Sequence, residues 1–229
     1  MIDYVLTRCN KRKSIALQVI DGRVLVKAPS QISVSYIDKL LTTKERWIEQ
    51  KIKQQLVTAR FANKLCSDGT VWINGFAHKI VVHKGATPSV DVIDGHVYCT
   101  IKTSANKTDN TLIKKQLENW FKQRASQFLP ERTKQLSQIT GLTPSSVIVK
   151  KYRARWGSCD NLGRISLNYF LMMLPTWVID YVIIHELCHL KHLNHSAQFW
   201  SLVEHHCAGY DQAKAWIKQR QGYLVWPKS

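Results

Sequence analysis

Residues 185–189 read His-Glu-Leu-Cys-His. On a helix, positions i and i+4 share a face, so the imidazoles of His185 and His189 can reach one metal ion. Glu186, beside the first of them, is then placed to take a proton from water activated by that ion. The pattern is short, yet nine His in 229 residues would produce it by chance only about 0.01 times. A catalytic zinc takes three protein ligands and keeps a fourth position open. His192 lies on the same helical stripe, but seven residues of helix rise about 10 Å, too far for three ligands to converge. The helix must end and the chain return, and Asn194 is a residue type that tolerates the left-handed conformation of helix ends. His195, ten residues after His185, has the spacing of the long zinc motif H-E-x-x-H-x-x-G-x-x-H. Its glycine position is His192 here, and no Met follows residue 173. Glu204 and His205, from the next helix, stay open as alternative third ligands.

Other side chains could handle a substrate. Lys150, Lys151, Arg153 and Arg155 make Val147–Trp156, read as a strand, strongly basic. Period-two geometry would point Arg153 and Arg155 the same way, as a paired clamp for carboxylate or phosphate oxygens. The strand itself could pair with an extended peptide. Asn168 and Tyr169 could donate hydrogen bonds to a developing oxyanion, and Tyr152 and Tyr210 are equally open for that role. Ser158 and Cys159 lack a dedicated base within sequence reach and are not read as nucleophiles. Gly157 permits a bend or a close backbone approach; Trp156 and Trp200 read as packing residues, and Cys188 as a buried helix thiol.

These residues need elements to hold them. The apolar run from Trp177 to Ile184, opened by Pro175 and Thr176, predicts a buried helix that carries the motif. Ile165–Tyr169 predicts a strand across the turn Asp160-Asn161-Leu162-Gly163 from Val147–Trp156. Upstream, hairpins are predicted at Asp21-Gly22, between Ser14–Ile20 and Arg23–Ala28, at Asn74-Gly75 and at Asp94-Gly95. Ser33–Ala59 predicts one long helix with a stripe of Ile37, Leu40, Leu41, Trp47, Ile48, Ile52 and Leu56. Ser104–Asn110 reads as a loop. Thr111–Phe128 predicts another helix, which Pro130 should kink or break before a further piece ends at Ile139.

The bulk composition limits the field. The chain carries 45% hydrophobic residues and eight Trp, which excludes a disordered protein. Its net charge of +17 would attract polyanions, and residues 1–145 hold +12 of it. No segment reaches the roughly 18 apolar residues of a membrane span. Six scattered cysteines without a C-x-x-C pair, and no signal-like N-terminus, suit a reducing cytoplasm.

Tyr152-Arg153-Ala154-Arg155-Trp156-Gly157-Ser158-Cys159 with Gly163-Arg164-Ile165-Ser166-Leu167-Asn168 resembles the hairpin of the YgjP-like metal-dependent hydrolases, relatives of the SprT-type zinc peptidases. The segment Asp180–Leu190 is similar to that family's zinc helix, and Asn194-His195-Ser196 with Phe199-Trp200 to its second signature. The resemblance implies zinc held by His185, His189 and His195, with Glu186 catalytic. It also implies an α+β fold with a zincin-like domain behind an N-terminal β-rich region. With the elements read above, the expected division is a β-hairpin-rich region with one long helix over residues 1–105 and the zincin-like domain over 106–229.

Three functions follow as expectations. A zinc metallopeptidase comes first. Hydrolysis of a phosphoanhydride such as a nucleoside triphosphate is an alternative, favoured by the charge; no glycine-rich P-loop is present. A basic protein that binds nucleic acid non-specifically is a third. The expected partners are thus an anionic or peptide substrate and nucleic acid at a basic surface, without a membrane.

Overall fold

Ala16–Ile20 (β2) and Arg23–Ala28 (β3) form the antiparallel hairpin that the sequence predicts. A computed structural model describes residues 2–20, 22–61, 64–102, 110–220, 222, 224 and 226. Asp21 of the expected turn lies outside them; Gly22 takes φ +75°, the left-handed region that such a turn requires. The sequence reading misses strand β1, Tyr4–Arg8, which pairs in parallel with β3 to give the order β1-β3-β2. As an edge strand with no fully buried residue, β1 carries little alternation to reveal it. The single helix predicted over Ser33–Ala59 is two, α1 (Val34–Thr43) and α2 (Glu45–Phe61). Lys44 separates them at φ −105°, ψ 7°, its N–H donating to the carbonyls of Leu40 and Leu41. Ile37, Leu41 and Ile48 bury in one core with Val24, Val26 and Ala28. Their spacing continues through the interruption and so hides it. Trp47 and Leu56, assigned to the same stripe, are exposed. Met1–Ala62 form one compact unit.

Asn63–Ser229 form the other. Its first sheet contains β4 (Thr70–Ile73), β5 (Phe76–Gly85), β6 (Ser89–Ile93) and β7 (His96–Lys102) in the order β4-β5-β7-β6. Both predicted hairpin turns form, with positive φ at Asn74, Gly75, Asp94 and Gly95. The expected division at residue 105 places this sheet with the N-terminal region. Its apolar face (Val71, Ile73, Ile80, Val97, Ile101) instead shares one core with the helices that follow. Residues 103–109, nearly all of the loop expected at Ser104–Asn110, lie outside the described residues.

α3 runs unbroken from Asn110 to Thr140, so the break expected at Pro130 does not occur. Ile113, Leu117, Phe121, Ala125 and Leu129 are buried at four-residue spacing up to the proline, and Leu136 beyond it. Burying that many side chains, at about 1.5–3 kcal/mol each, outweighs the roughly 3 kcal/mol cost of an internal proline.

The second sheet holds β8 (Ser146–Lys150), β9 (Gly157–Cys159) and β10 (Arg164–Asn168) in the order β8-β10-β9. The strand expected over Val147–Trp156 is therefore only half right. The chain leaves the sheet after Lys150 and returns at Gly157 on the other side of β10. β8 pairs with β10 in parallel, and it is β9 that makes the antiparallel hairpin.

After a short turn of 3-10 helix at Tyr169–Met173 come α4 (Thr176–Cys188), α5 (Ala197–His206) and α6 (Tyr210–Arg220). α4 is buried almost all round, as its composition predicts. Two contacts fix it. Arg132 on α3 grips Asp180 with two hydrogen bonds of 2.7 Å. The Asn74 and Gly75 N–H groups donate to the carbonyls of Met172 and Met173 just before it, at 3.0 and 2.8 Å. The architecture is α+β, as expected, and no helix among the described residues is long and apolar enough to cross a membrane.

Candidate metal centre

α4 ends at Cys188, and His189 caps it with φ −64°, ψ −18°. His185 lies one turn earlier on the same face. The chain then turns through residues 190–196 and restarts as α5, whose cap Ser196 accepts from the Phe199 N–H. His195 is the last residue before that cap, which brings it back over α4. Asn194 does not supply the turn as expected, because among the described non-glycine residues only Asp68, Asn74 and Asp94 have positive φ.

His185, His189 and His195 converge, with one nitrogen of each within 4.8 Å of the others. His185 Nε2 and His195 Nε2 are 3.1 Å apart. Two ligands on a tetrahedral ion with bonds of about 2.05 Å would be separated by about 3.3 Å, so the spacing fits a metal. The tautomers fit as well. His189 Nδ1 lies 2.9 Å from the His192 carbonyl, and donation there leaves Nε2 as a free lone pair. Burial first, then the neighbouring His189, His195 and Lys214, push His185 down to about 3, so it stays neutral as a ligand must. His185 Nδ1 is buried with no hydrogen-bond partner among the described residues. Three imidazoles are a donor set for a divalent metal. Glu204 and His205, the alternatives left open by the sequence, stand exposed on α5.

The three rings share a floor. Phe199, fully buried, stacks on His189 at 4.5 Å between centroids and meets His185 and His195 edge-on at 4.9 Å each. Trp200 stacks on His195 at 5.7 Å and on Tyr210 at 5.6 Å, with Lys214 Nζ 4.1 Å over its ring. Sequence reasoning reads Trp200 as packing and gives Phe199 no role beyond the resemblance. The available signal was position, since both lie on the first turn of the helix that follows the third ligand candidate.

Glu186 is 5% exposed and packs against β9. Burial raises its carboxyl to about 7, with the Arg155 charge acting in the opposite direction. A β-carbon on Gly157 would stand 2.6 Å from Glu186 Oε1, so the close approach expected at this glycine is an approach to the glutamate. Strand alternation puts Cys159 on the same side. Its thiol is pushed up to about 11, by burial first and then by the charges of Glu186 and Asp160. Ser158 faces the other way and shares a 2.6 Å hydrogen bond with the Tyr152 hydroxyl. Tyr152 is thereby drawn to the sheet face opposite Glu186.

The remaining site expectations change more. Arg153 and Arg155 lie in the irregular segment between β8 and β9, so period-two geometry does not pair them. Both are exposed and, among the described residues, neither has a carboxylate partner; Arg155 lies over the Tyr152 ring at 5.6 Å. Asn168 is buried, and its amide donates to the carbonyls of Tyr152 and Arg155 at 3.1 and 3.0 Å while its oxygen accepts from the Phe170 N–H. Both donor hydrogens of Asn168 are thereby committed to the arginine segment. The Tyr169 hydroxyl is likewise committed, to Glu118.

No curated protein matches the chain. Two solved structures resemble part of it. The metallopeptidase zymogen of Pyrococcus abyssi abylysin is 25% identical over 39% of this chain and 88% of its own, with a TM-score of 0.35. That of Methanocaldococcus jannaschii jannalysin is 18% identical over 40% and 94%, with a TM-score of 0.36. The family described as YgjP-like, metallopeptidase domain matches residues 13–220. With nearly its whole length matched, the chain belongs to the YgjP-like metallopeptidase-domain family and is a metal-dependent hydrolase.

Proposed function

We propose that the protein is a zinc metallopeptidase in which His185, His189 and His195 hold the ion and Glu186 is the general base. The observation that carries this is the convergence of three imidazole nitrogens within 4.8 Å, one residue along the chain from a buried carboxylate. Zinc bound there supplies Lewis acidity, which polarises a scissile carbonyl and makes water acidic enough to deprotonate near neutral pH. Glu186, with a carboxyl near 7, is matched to taking that proton and returning it to the leaving amide nitrogen. Burial keeps the carboxylate out of bulk water, and Phe199 keeps the imidazoles in register.

Substrate handling falls to β9 and the segment before it. β9 is an edge strand of its sheet and lies against Glu186, so it is better placed than β8 to pair with an extended peptide. Arg155, held through its carbonyl by Asn168 and acting electrostatically on Glu186, is placed to receive an anionic group. That same exposed guanidinium favours a second reading, hydrolysis of a phosphoanhydride. Nucleic acid remains a proposed non-specific partner of the basic surface, and a cytoplasmic location is proposed from the unpaired cysteines.

The test is metal content and turnover together. Glu186→Gln should keep one zinc per chain and lose cleavage of a quenched-fluorescent peptide library, whereas His185→Ala and His189→Ala should lose both. Zinc retained at wild-type affinity in the histidine variants would sink the site. Turnover of nucleoside triphosphates but of no peptide, abolished by chelator and by Glu186→Gln, would replace the peptidase reading with the second one.

A further inference from the structure

Gly157 is a strand residue at negative φ, so its backbone does not require glycine. The space around it does. A β-carbon there would lie 2.6 Å from Glu186 Oε1, 2.8 Å from Cγ and 2.9 Å from Cδ. All three distances are shorter than real β-carbons tolerate, and they include Cγ. Rotating the carboxylate about its last bond would leave the Cγ clash in place, so the whole side chain would have to leave its position.

The strand cannot retreat instead. Gly157 pairs with Leu167 on β10. The carbonyl of Trp156, just before it, accepts from the Asn168 N–H at 2.8 Å, and the Asn168 amide holds the Arg155 carbonyl at 3.0 Å. The helix cannot retreat either: Ile183, Leu187 and Cys188, around Glu186 on α4, are fully buried, and Arg132 pins Asp180 upstream. Strand and helix are each fixed by other contacts, and the glutamate fills the gap left between them.

We infer that Gly157 is a positioning residue for the reaction: the missing side chain on β9 sets where the Glu186 carboxylate can stand. This rests on the reading of Glu186 as the general base. The Asn168 side chain belongs to the same device, because it holds the segment that leads into Gly157. A substitution here acts on the base first, because the three atoms nearest the added β-carbon all belong to Glu186 and none to the imidazoles.

Two measurements on the full chain separate this from a merely structural glycine. In zinc-loaded protein, Gly157→Ala should keep one zinc and lower kcat on the order of 100-fold, the cost of an ångström-scale displacement. KM for the best-cleaved member of a quenched-fluorescent peptide library should stay within about 3-fold of wild type. Thermal unfolding reads the contact without any turnover. Gly157→Ala should lower Tm in the wild-type background and by much less in Glu186→Ala, where the clash is gone. An equal loss in both backgrounds, or a protein that unfolds in both, overturns the proposal, as does zinc-loaded Gly157→Ala with kcat within 3-fold of wild type. Wild-type turnover in Glu186→Gln would instead remove Glu186 as the base. The stability coupling would still report whether the contact exists.

Discussion

Phe199 touches all three candidate ligands, so its replacement should separate packing from metal affinity. The side chain is fully buried, with its ring face on His189 and perpendicular to His185 and His195. Phe199→Ala should cost about 3–5 kcal/mol in transfer and cavity terms. At roughly 2–4 °C per kcal/mol for a domain of this size, Tm should fall by roughly 6–20 °C. Phe199→Leu keeps most of the volume and should cost under about 1.5 kcal/mol. What leucine cannot keep is the flat surface that fixes three imidazole planes at once. Outer-shell support of this kind is worth about 10–100-fold in metal affinity, so Phe199→Leu should weaken zinc binding by about 10-fold or more despite its small stability cost. The assay is competition for zinc against a chromophoric chelator, run beside thermal unfolding of the zinc-free protein. Phe199→Leu that binds zinc at wild-type affinity while Tm falls would show the ring to be ordinary core, and the shared-floor argument would be refuted.

Two further outcomes test the surroundings of the site. Burial pushes Glu118 upward, but hydrogen bonds from Lys151 and Tyr169, the Lys151 charge and a bond from Trp226 together hold it below its ordinary 4.5. Its contribution to stability is therefore complete above about pH 4.5 and is lost as pH falls through the folded-state value. Glu118→Gln should cost about 1–2 kcal/mol at neutral pH, and the difference from wild type in urea unfolding should shrink below pH 4.5; a gap that widens in acid would contradict this. Arg155→Ala should raise KM several-fold for peptides with an acidic residue near the cleaved bond and leave neutral peptides unchanged, with Arg155→Lys intermediate. Equal effects on both peptide classes would show that the guanidinium does not contact substrate charge.

Local signals were legible and non-local ones were not. The His-Glu-x-x-His spacing and the apolar run before it both follow from helical geometry, and α4 carries them as read. The turns at Asn74-Gly75 and Asp94-Gly95 depend on residues that accept positive φ, a property of the residues themselves. By contrast, the end of β8 at Lys150 is set by what β10 can pair with, and the basic run Lys150–Arg155 looks the same in sequence on a strand or off it. Reading it as one strand gives Arg153 and Arg155 a common direction that an irregular segment does not impose. The unbroken α3 is a similar case, because proline's local cost is fixed while the burial that outweighs it comes from elements far away in the chain.

The same distinction explains what was missed at the site. The sequence offers Asn168 as a donor to a developing oxyanion; in the fold its amide hydrogens satisfy two carbonyls of the irregular segment, and those carbonyls are free only because the strand ends early. Once that segment is irregular, something must fasten it, and a buried amide on the adjacent strand end is the side chain within reach. Fastened there, the chain enters β9 at Gly157 directly against Glu186. The placement of the carboxylate thus depends on an early strand end, a buried amide and a missing side chain. The amide and the missing side chain are residue choices visible in the sequence and the strand end is not, and the three acquire a common purpose only when β8, β10 and β9 are set side by side.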